Sequence, residues 1–168
     1  METELTEQKP HWSIRVILGR RPKWTFVRIL FWVASSFLLF KFVLVPIRVR
    51  GESMNPTLRN GSIHLVNRWA YRWHPPQRGD IVTVTVENHG LFLVKRVVAM
   101  PGERFSVHDG SVFIDGDRLN EPYLKQPTLG KYREVKLLPS HYIVMGDNRA
   151  VSETWERDMS EVLGKVLF

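Results

Sequence analysis

One long apolar run near the amino terminus limits what this chain can fold into more than any other feature. From Thr25 to about Pro46 nearly every residue is apolar, and Lys41 lies close to the far end. A helix needs about 20 such residues to cross a hydrocarbon core of roughly 30 Å, and a lysine near its end can extend its stem to the headgroups. A buried core helix would lack helical partners, and a cleaved signal peptide would lack its small-residue cleavage pattern. The run therefore predicts a retained transmembrane anchor over residues 25–47.

The charges on either side of the run predict its orientation. The preceding tail, residues 1–24, carries five basic residues, and Arg28 lies at the entrance to the run. The five are Lys9, Arg15, Arg20, Arg21 and Lys23. Lysine and arginine near a span favour the cytoplasmic side, although Arg48 and Arg50 on the other flank make the bias moderate. We expect a single-pass protein of the cell membrane, with a cytoplasmic tail over residues 1–24 and an extracytoplasmic domain over residues 48–168.

Composition excludes several kinds of site. The 168 residues carry a formal charge of +7 and include no cysteine, so disulfides and thiolate–metal sites are ruled out. A basic chain fits nucleic acid or anionic lipid as a partner, and its charge says nothing about fold. The histidines beyond the apolar run lack ligand spacing, and the glycines lie at turns rather than in a phosphate loop. These histidines are His64, His74, His89, His108 and His141. We expect neither a metal ion nor a cofactor.

After the apolar run the hydrophobic pattern changes to the two-residue period typical of strands. Short apolar runs predict strands at Ile63–Val66, Ile81–Val86, Leu91–Ala99, Ser111–Ile114, His141–Met145 and Val162–Phe168. Asp109-Gly110 and Asp115-Gly116 bracket one of these runs, as two-residue hairpin turns do. No convincing helix follows the anchor. We therefore expect a mainly β domain of twisted antiparallel sheets, or a partly open barrel.

A polar turn soon after the apolar run, from Gly51 to Leu58, holds the serine Ser53. A serine hydroxyl is a weak nucleophile unless a base lies beside it. Most serines in such turns only shape the turn. Ser53 is therefore a candidate nucleophile only if a base from elsewhere in the chain reaches it.

The predicted strand Leu91–Ala99 contains an unusual lysine, Lys95. Because side chains alternate along a strand, Lys95 shares a side with Leu91, Leu93, Val97 and Ala99. If that side faces the core, burial lowers the pKa of the amine, and a neutral amine could accept a serine proton. If the register is the opposite one, Lys95 is solvated, which is the usual state of a lysine.

Four segments that follow the anchor in order resemble bacterial type I signal peptidases, which are membrane-bound serine proteases with a Ser–Lys dyad. The segments are Gly51–Leu58, Arg78–Val82, Lys95–Glu103 and Gly146–Arg149. The resemblance runs from the anchor to the carboxy terminus. It implies that Ser53 is the nucleophile and Lys95 the general base. It also implies that Met54 lines the cleft beside the nucleophile and that Ser152 hydrogen-bonds the lysine amine and orients it.

Two departures from the family pattern bear on the site. After its last serine the family continues with any residue, Asp, Ser and Arg, whereas Ser152 is followed by Glu153-Thr154-Trp155-Glu156. The nearby pair Arg157-Asp158 could take the place of the missing Asp and Arg after a local shift. The second departure is Gly51, where some members carry a serine that helps to hold the oxyanion and others carry glycine. The oxyanion would then rest mainly on the Ser53 N–H and a second donor.

Asp147 and Arg149, in the last segment, have the form of an acid–base pair. We expect them instead to make a structural salt bridge or to brace a loop near the site.

The resemblance implies a membrane-anchored serine endopeptidase that cleaves signal peptides from exported preproteins after small residues. Signal peptides and membrane lipid are the expected partners, with the translocation machinery as a further candidate. The altered last segment leaves open a homologue that binds exported peptides without cutting them. A nucleic-acid-binding β domain is supported by charge alone and opposed by the anchor and the dyad, so no nucleic acid is expected. Self-cleaving Ser–Lys repressors are soluble and lack an anchor.

One further segment, residues 68–76, combines aromatic and basic residues. If it is extended, Trp69, Tyr71 and Trp73 lie on one side. Tryptophan and tyrosine favour the headgroup level of a bilayer, and arginine favours anionic lipid. We hypothesise that this loop dips into the outer leaflet. The alternative is that its aromatic side packs into the core of the domain.

Overall fold

The computed structural model describes residues 22–86 and 91–167. It contains one helix followed by eleven strands and a short 3-10 turn in the described residues. The helix is α1 (Pro22–Phe42). The strands are β1 (Leu44–Arg48), β2 (Ile63–Asn67), β3 (Ile81–Val86), β4 (Leu91–Ala99), β5 (Arg104–His108), β6 (Ser111–Ile114), β7 (Asp117–Arg118), β8 (Tyr132–Lys136), β9 (His141–Met145), β10 (Trp155–Asp158) and β11 (Val162–Leu167), and the 3-10 turn is Met159–Glu161.

The helix and the β domain are two separate compact units that divide after Lys41. In α1 the stretch Lys23–Phe42 is long and apolar enough to cross a membrane, and most of its large apolar side chains are exposed. Helix α1 ends before the boundary at residue 47 that the sequence predicts. Residues 44–48 instead pair with β2, and Pro46 is tolerated there because β1 is an edge strand. Most of the predicted tail, residues 1–21, lies outside the described part of the chain.

All strand pairs are antiparallel, which confirms the prediction of a mainly β domain. One sheet has seven strands in the order β1-β2-β11-β3-β4-β9-β10, and the other has four in the order β7-β6-β5-β8. Each strand predicted from sequence is present to within a residue or two, although Phe168 lies outside the described residues. The strands that the sequence did not indicate are β1, β5, β7, β8 and β10, most of which mix charged and apolar residues.

The two predicted hairpin turns are present. Asp109-Gly110 joins β5 to β6, and Asp115-Gly116 joins β6 to β7. All four residues have positive φ angles, between 50° and 91°. Type I′ turns require this conformation at both central positions, and aspartate followed by glycine adopts it at low cost.

Two apolar clusters in the seven-stranded sheet support the segments that carry the candidate residues. Val49, Met54, Leu58, Val66, Ile81 and Val166 form one cluster, beneath the turn that contains Ser53. Val82, Val84, Val97, Tyr142 and Val144 form the other, on strands β3, β4 and β9 around Lys95. The serine turn and the lysine strand are therefore both held by buried side chains.

Candidate active site

Buried side chains and backbone hydrogen bonds hold the turn that contains Ser53, while Ser53 itself is half-buried. The Leu58 N–H donates to the Met54 carbonyl at 2.9 Å, and the side chains of both residues are almost completely buried. Asn60 accepts a hydrogen bond from the Gly51 N–H at 3.2 Å. Gly51 has φ of 95°, a conformation that glycine adopts without strain. Packing and backbone hydrogen bonds therefore present Ser53 at the top of the turn.

Met54 lies in the core at 1% exposure. Its side chain packs with Leu58, Val66 and Ile81 and supports the serine turn from inside the domain. Its expected role as a lining of the cleft stays a prediction.

Lys95 lies in the middle of β4, between β3 and β9, and is only 4% exposed. Its cross-strand partner is Val82, which is completely buried. Burial lowers the pKa of the Lys95 amine, because the charged form loses its hydration. The Glu153 carboxylate acts in the opposite direction and raises the pKa. Because burial is the larger of the two effects, the Lys95 amine becomes neutral at a lower pH than the amine of a solvated lysine does.

The Ser152 hydroxyl is the group that holds the lysine amine. Lys95 Nζ donates to Ser152 Oγ at 2.8 Å, and the Gly146 N–H donates to the same oxygen at 2.8 Å. The hydroxyl itself donates to the Glu153 carbonyl at 3.2 Å. One donor and two acceptor sites are all that a serine hydroxyl possesses, so each of them is used. Ser152 is thus fixed in orientation, and it fixes Lys95 in turn.

Gly146 brings Ser53 and Ser152 to the same place. A methyl group added at Gly146 would collide with the Ser53 carbonyl oxygen and with the Ser152 hydroxyl. The Asn148 N–H donates to the Ser53 carbonyl at 2.9 Å, which ties the serine turn to this loop. Within the described residues the Ser53 hydroxyl makes no hydrogen bond, so Ser53 and Lys95 are not hydrogen-bonded to each other. Such bonds are often long in enzymes without substrate and tighten when substrate binds.

Asp147 connects the serine turn to the lysine strand. It accepts hydrogen bonds from Arg96 Nε at 2.8 Å and Arg96 Nη2 at 2.6 Å, and from the Thr57 hydroxyl at 2.5 Å. Thr57 lies in the turn with Ser53, and Arg96 directly follows Lys95 in β4. Asp147 is 2% exposed, so this bridge is made almost entirely out of contact with water.

Arg149 braces the other side of the same loop. Its guanidinium forms a salt bridge with Glu121, donates from Nε to the Gly146 carbonyl at 3.0 Å, and donates to the Thr128 hydroxyl. The Tyr123 hydroxyl donates to Glu121 at 2.6 Å and adds to the network. Asp147 and Arg149 therefore have different partners and do not pair with each other.

Arg157 and Asp158, the pair considered as a substitute after Ser152, are engaged elsewhere. Arg157 pairs with Glu161 at 3.1 Å and lies 4.6 Å from the Trp155 ring centre. Asp158 accepts hydrogen bonds from the Ser140 hydroxyl at 2.5 Å and the Ser160 N–H at 2.8 Å. These hydrogen bonds fix β10 and the 3-10 turn after it rather than Ser152.

Sequence reasoning missed three residues that organise the site: Thr57, Arg96 and Glu121. Thr57 and Arg96 lie within the segments that carried the family resemblance, and that position was the available signal. Glu121 lies in a segment without any motif, and its salt bridge to Arg149 is visible only in three dimensions.

A family model described as "Signal peptidase, peptidase S26" matches residues 23–154. This chain belongs to the signal peptidase family. It is 36% identical over 122 residues to the "Probable signal peptidase I-1" of Synechocystis sp., a match that covers 68% of this chain and 62% of that relative. It is 30% identical over 154 residues to "Signal peptidase IB" of Staphylococcus aureus, covering 79% and 80% of the two chains.

A crystal structure of a signal peptidase I from Enterococcus faecalis V583 is also similar, with a TM-score of 0.49 and 24% identity, over 55% of this chain and 97% of that chain. The resemblance that the four sequence segments carried is confirmed by the family match. The chain spans 62% of the length of the Synechocystis relative.

Asp147→Asn is expected to destabilise the β domain by about 3 kcal/mol, because it leaves the Arg96 guanidinium without its charged partner in a nearly dry site. Thermal unfolding of the full-length chain in detergent measures the loss. Asp117→Asn, an exposed aspartate in β7, is the matched control and should have little effect. Equal unfolding temperatures for Asp147→Asn and the unmodified chain would contradict the bridging role of Asp147.

Gly146→Ala is expected to destabilise the protein by about 3 kcal/mol or more, because the new methyl group overlaps the Ser53 carbonyl and the Ser152 hydroxyl. Gly116→Ala is the comparison. It introduces strain at a positive φ but meets no neighbouring atom, so it should cost only about 1–2 kcal/mol. The same thermal unfolding assay checks the order of the two losses, and the reverse order would count against the close packing at Gly146.

Proposed function

We propose that this chain is a membrane-anchored serine endopeptidase that removes signal peptides from exported preproteins. The proposal rests on one observation above all: a buried lysine amine is held by a serine hydroxyl beside the loop that touches Ser53. A buried lysine with a single hydroxyl partner is costly to keep charged. A group whose pKa is perturbed in this way is a candidate for proton transfer.

Lys95 acts as the general base in this proposal. The neutral amine takes the Ser53 hydroxyl proton while Ser53 Oγ forms a bond to the scissile carbonyl carbon. Ser152 keeps the amine in position through the 2.8 Å hydrogen bond. The protonated Lys95 amine is then buried away from water, which favours rapid transfer of its proton to the next acceptor.

The oxyanion formed in this step needs hydrogen-bond donors. The Ser53 N–H donates to no acceptor in the described part of the chain, so it is available for this purpose. When the carbon–nitrogen bond breaks, the leaving amine receives the proton from Lys95. Water then attacks the carbonyl carbon of the ester that links the peptide to Ser53, and Lys95 takes a proton from the water. The bond between that carbon and Ser53 Oγ breaks and Lys95 returns the proton to Oγ, so that the free serine is restored and the peptide leaves with a carboxyl end.

The preprotein is proposed to lie extended along a strand edge, paired through its main chain. Strands β1 and β10 are the two edges of the seven-stranded sheet. The family resemblance adds a preference for small residues at the first and third positions before the cut. The α1 helix would span the membrane, with the basic tail in the cytoplasm and the β domain outside. Anchoring confines Ser53 near the surface where the apolar part of a signal peptide ends.

A homologue that binds exported peptides without cutting them remains the second candidate. It is favoured by the absence of a hydrogen bond between Ser53 and Lys95 in the described structure and by the altered segment after Ser152.

Ser53→Ala and Lys95→Ala are each expected to lower the rate of preprotein cleavage by about 10⁴-fold or more, because each removes an essential partner of one proton transfer. Cleavage of a purified preprotein by the full-length chain in detergent is the measurement. Ser106→Ala and Lys136→Ala, both in the four-stranded sheet, are the matched controls. Peptide binding without cleavage by the unmodified chain would favour the second candidate.

Glu153→Gln is expected to move the rising limb of the pH profile of kcat/KM to lower pH. The rate rises with pH as the Lys95 amine loses its proton, and the Glu153 carboxylate raises the pKa of that amine. Removing the carboxylate lets the pKa fall further, so the neutral form appears at lower pH. Glu156→Gln, an exposed glutamate three residues on, should leave the profile in place. If the rising limb of Glu153→Gln moved to higher pH instead, Lys95 would not be the titrating base.

A further inference from the structure

A small cavity lies next to the turn that contains Ser53. It has a volume of about 170 Å³, and Asn55, Pro56 and Asn148 form part of its lining. Asn55 and Pro56 follow Ser53 within three residues, and the Asn148 N–H donates to the Ser53 carbonyl at 2.9 Å. The cavity therefore begins at the residues that follow the candidate nucleophile, whereas β1 leads to the residues before it.

A larger cavity adjoins the first one. Its volume is about 540 Å³, and its lining includes Ser111 in β6, Arg118 in β7 and Asn120. Lys125 and Gln126, both exposed, line the two cavities alike, so the cavities adjoin at these side chains. The two cavities together are here called the Lys125 groove. The groove leads from the serine turn to the four-stranded sheet.

Arg149 fixes the segment that carries Lys125. Its guanidinium binds the carboxylate of Glu121 and the hydroxyl of Thr128, at the two ends of that segment. The same guanidinium donates to the Gly146 carbonyl at 3.0 Å. One arginine therefore braces both the wall of the groove and the loop beside the candidate nucleophile.

The Lys125 groove carries an excess of positive charge. Its two carboxylates, Asp147 and Glu121, are each paired with an arginine. Lys125 and Arg118 are exposed, and within the described residues their side chains make no ion pair or hydrogen bond. A cleft lined by one sign of uncompensated charge concentrates the field and attracts groups of the opposite sign. The groove therefore favours an anionic ligand.

The chemistry of a preprotein differs on the two sides of the cut. The part before the cut is apolar and is proposed above to pair with a strand edge. An apolar segment would leave the amide, hydroxyl and charged groups of the Lys125 groove without water or partners, which is costly. The chain after the cut belongs to the exported protein, and a polar segment there can pair with these groups. The polar lining therefore suits the part of the preprotein that follows the cut.

We infer that the Lys125 groove receives the residues of the preprotein that follow the cut, and that Lys125 and Arg118 select acidic side chains among them. The inference rests on the peptidase activity proposed above. Acidic side chains supply the counter-charges that the groove lacks, whereas lysine or arginine at the same positions meets like charge. Two preproteins with the same residues before the cut would then be processed at different rates.

Two preproteins that differ only after the cut test the selection. One carries two glutamates among the first few residues after the cut, and the other carries two lysines there. With the full-length chain in detergent at low salt, we expect kcat/KM to be about fivefold higher for the glutamate preprotein. The difference should lie in KM, because contacts remote from the reacting bond act equally on ground state and transition state. Added salt should reduce it.

Charge reversal in the groove identifies the group responsible. Lys125→Glu should reverse the order of the two preproteins. Lys136→Glu, the same change at an exposed lysine of β8 outside the groove, is the matched control and should leave the order unchanged. Equal cleavage of the two preproteins by the unmodified chain, or an order that survives Lys125→Glu, would overturn the inference.

The absence of cysteine from the chain allows the contact to be mapped by disulfide cross-linking. Gln126→Cys is combined with Ser53→Ala, which leaves the preprotein uncut, and the preprotein carries one cysteine either after or before the cut. After mild oxidation with a copper–phenanthroline complex, we expect Gln126→Cys to cross-link to the cysteine after the cut and not to the one before it. Arg133→Cys, exposed in β8, should cross-link to neither. Any other pattern at Gln126→Cys would overturn the inference.

This inference and the proposed peptidase can fail separately. Equal cleavage of the two preproteins, without a cross-link at position 126, would remove the inference and leave the peptidase standing. An unmodified chain that cleaves neither preprotein, but whose Gln126→Cys variant cross-links after the position expected for the cut, would refute the peptidase. The Lys125 groove would then be a site that binds exported chains without cutting them.

Discussion

The site depends on the burial of one amine. Lys95 lies at 4% exposure between two strands, and its hydrogen bond goes to a hydroxyl that is itself fixed by Gly146 and Glu153. Among the described residues no carboxylate forms a salt bridge with this amine, so burial makes its charged form costly. The same amine on a solvated strand would be protonated at neutral pH and unable to act as a base. The surrounding strands therefore lower the pKa of the Lys95 amine, which is the property that the proposed general base needs.

The proposed dyad also requires a rigid connection between the serine turn and the lysine strand. Asp147 supplies it, because one carboxylate binds both the serine turn, through Thr57, and the lysine strand, through Arg96. A buried carboxylate with a guanidinium partner adds little net stability over apolar packing, but it allows few alternative geometries. The loop that carries Asp147 is held in turn by Arg149. These charged side chains serve position rather than proton transfer.

The sequence predicted the mainly β fold because two-residue periodicity and Asp-Gly turns are local signals. It missed strands such as β8, whose residues are all exposed and which therefore has no buried face to give an alternating pattern. The candidate dyad followed from ordered motifs, whereas the salt bridge between Glu121 and Arg149 joins residues 28 positions apart and has no local signature. The aromatic residues of the segment 68–76 would lie on one side only if that segment were extended, and the hydrogen bonds of residues 67–72 make it turn instead.

The connection between α1 and the serine turn is short. Only Val43 separates the helix from β1, and only Val49 and Arg50 separate β1 from Gly51. If α1 spans the bilayer, a membrane thinner or thicker than the helix would be accommodated by helix tilt or by local lipid deformation. With so few intervening residues, the thickness of the membrane would bear on the position of β1, the edge strand that leads to the proposed nucleophile Ser53.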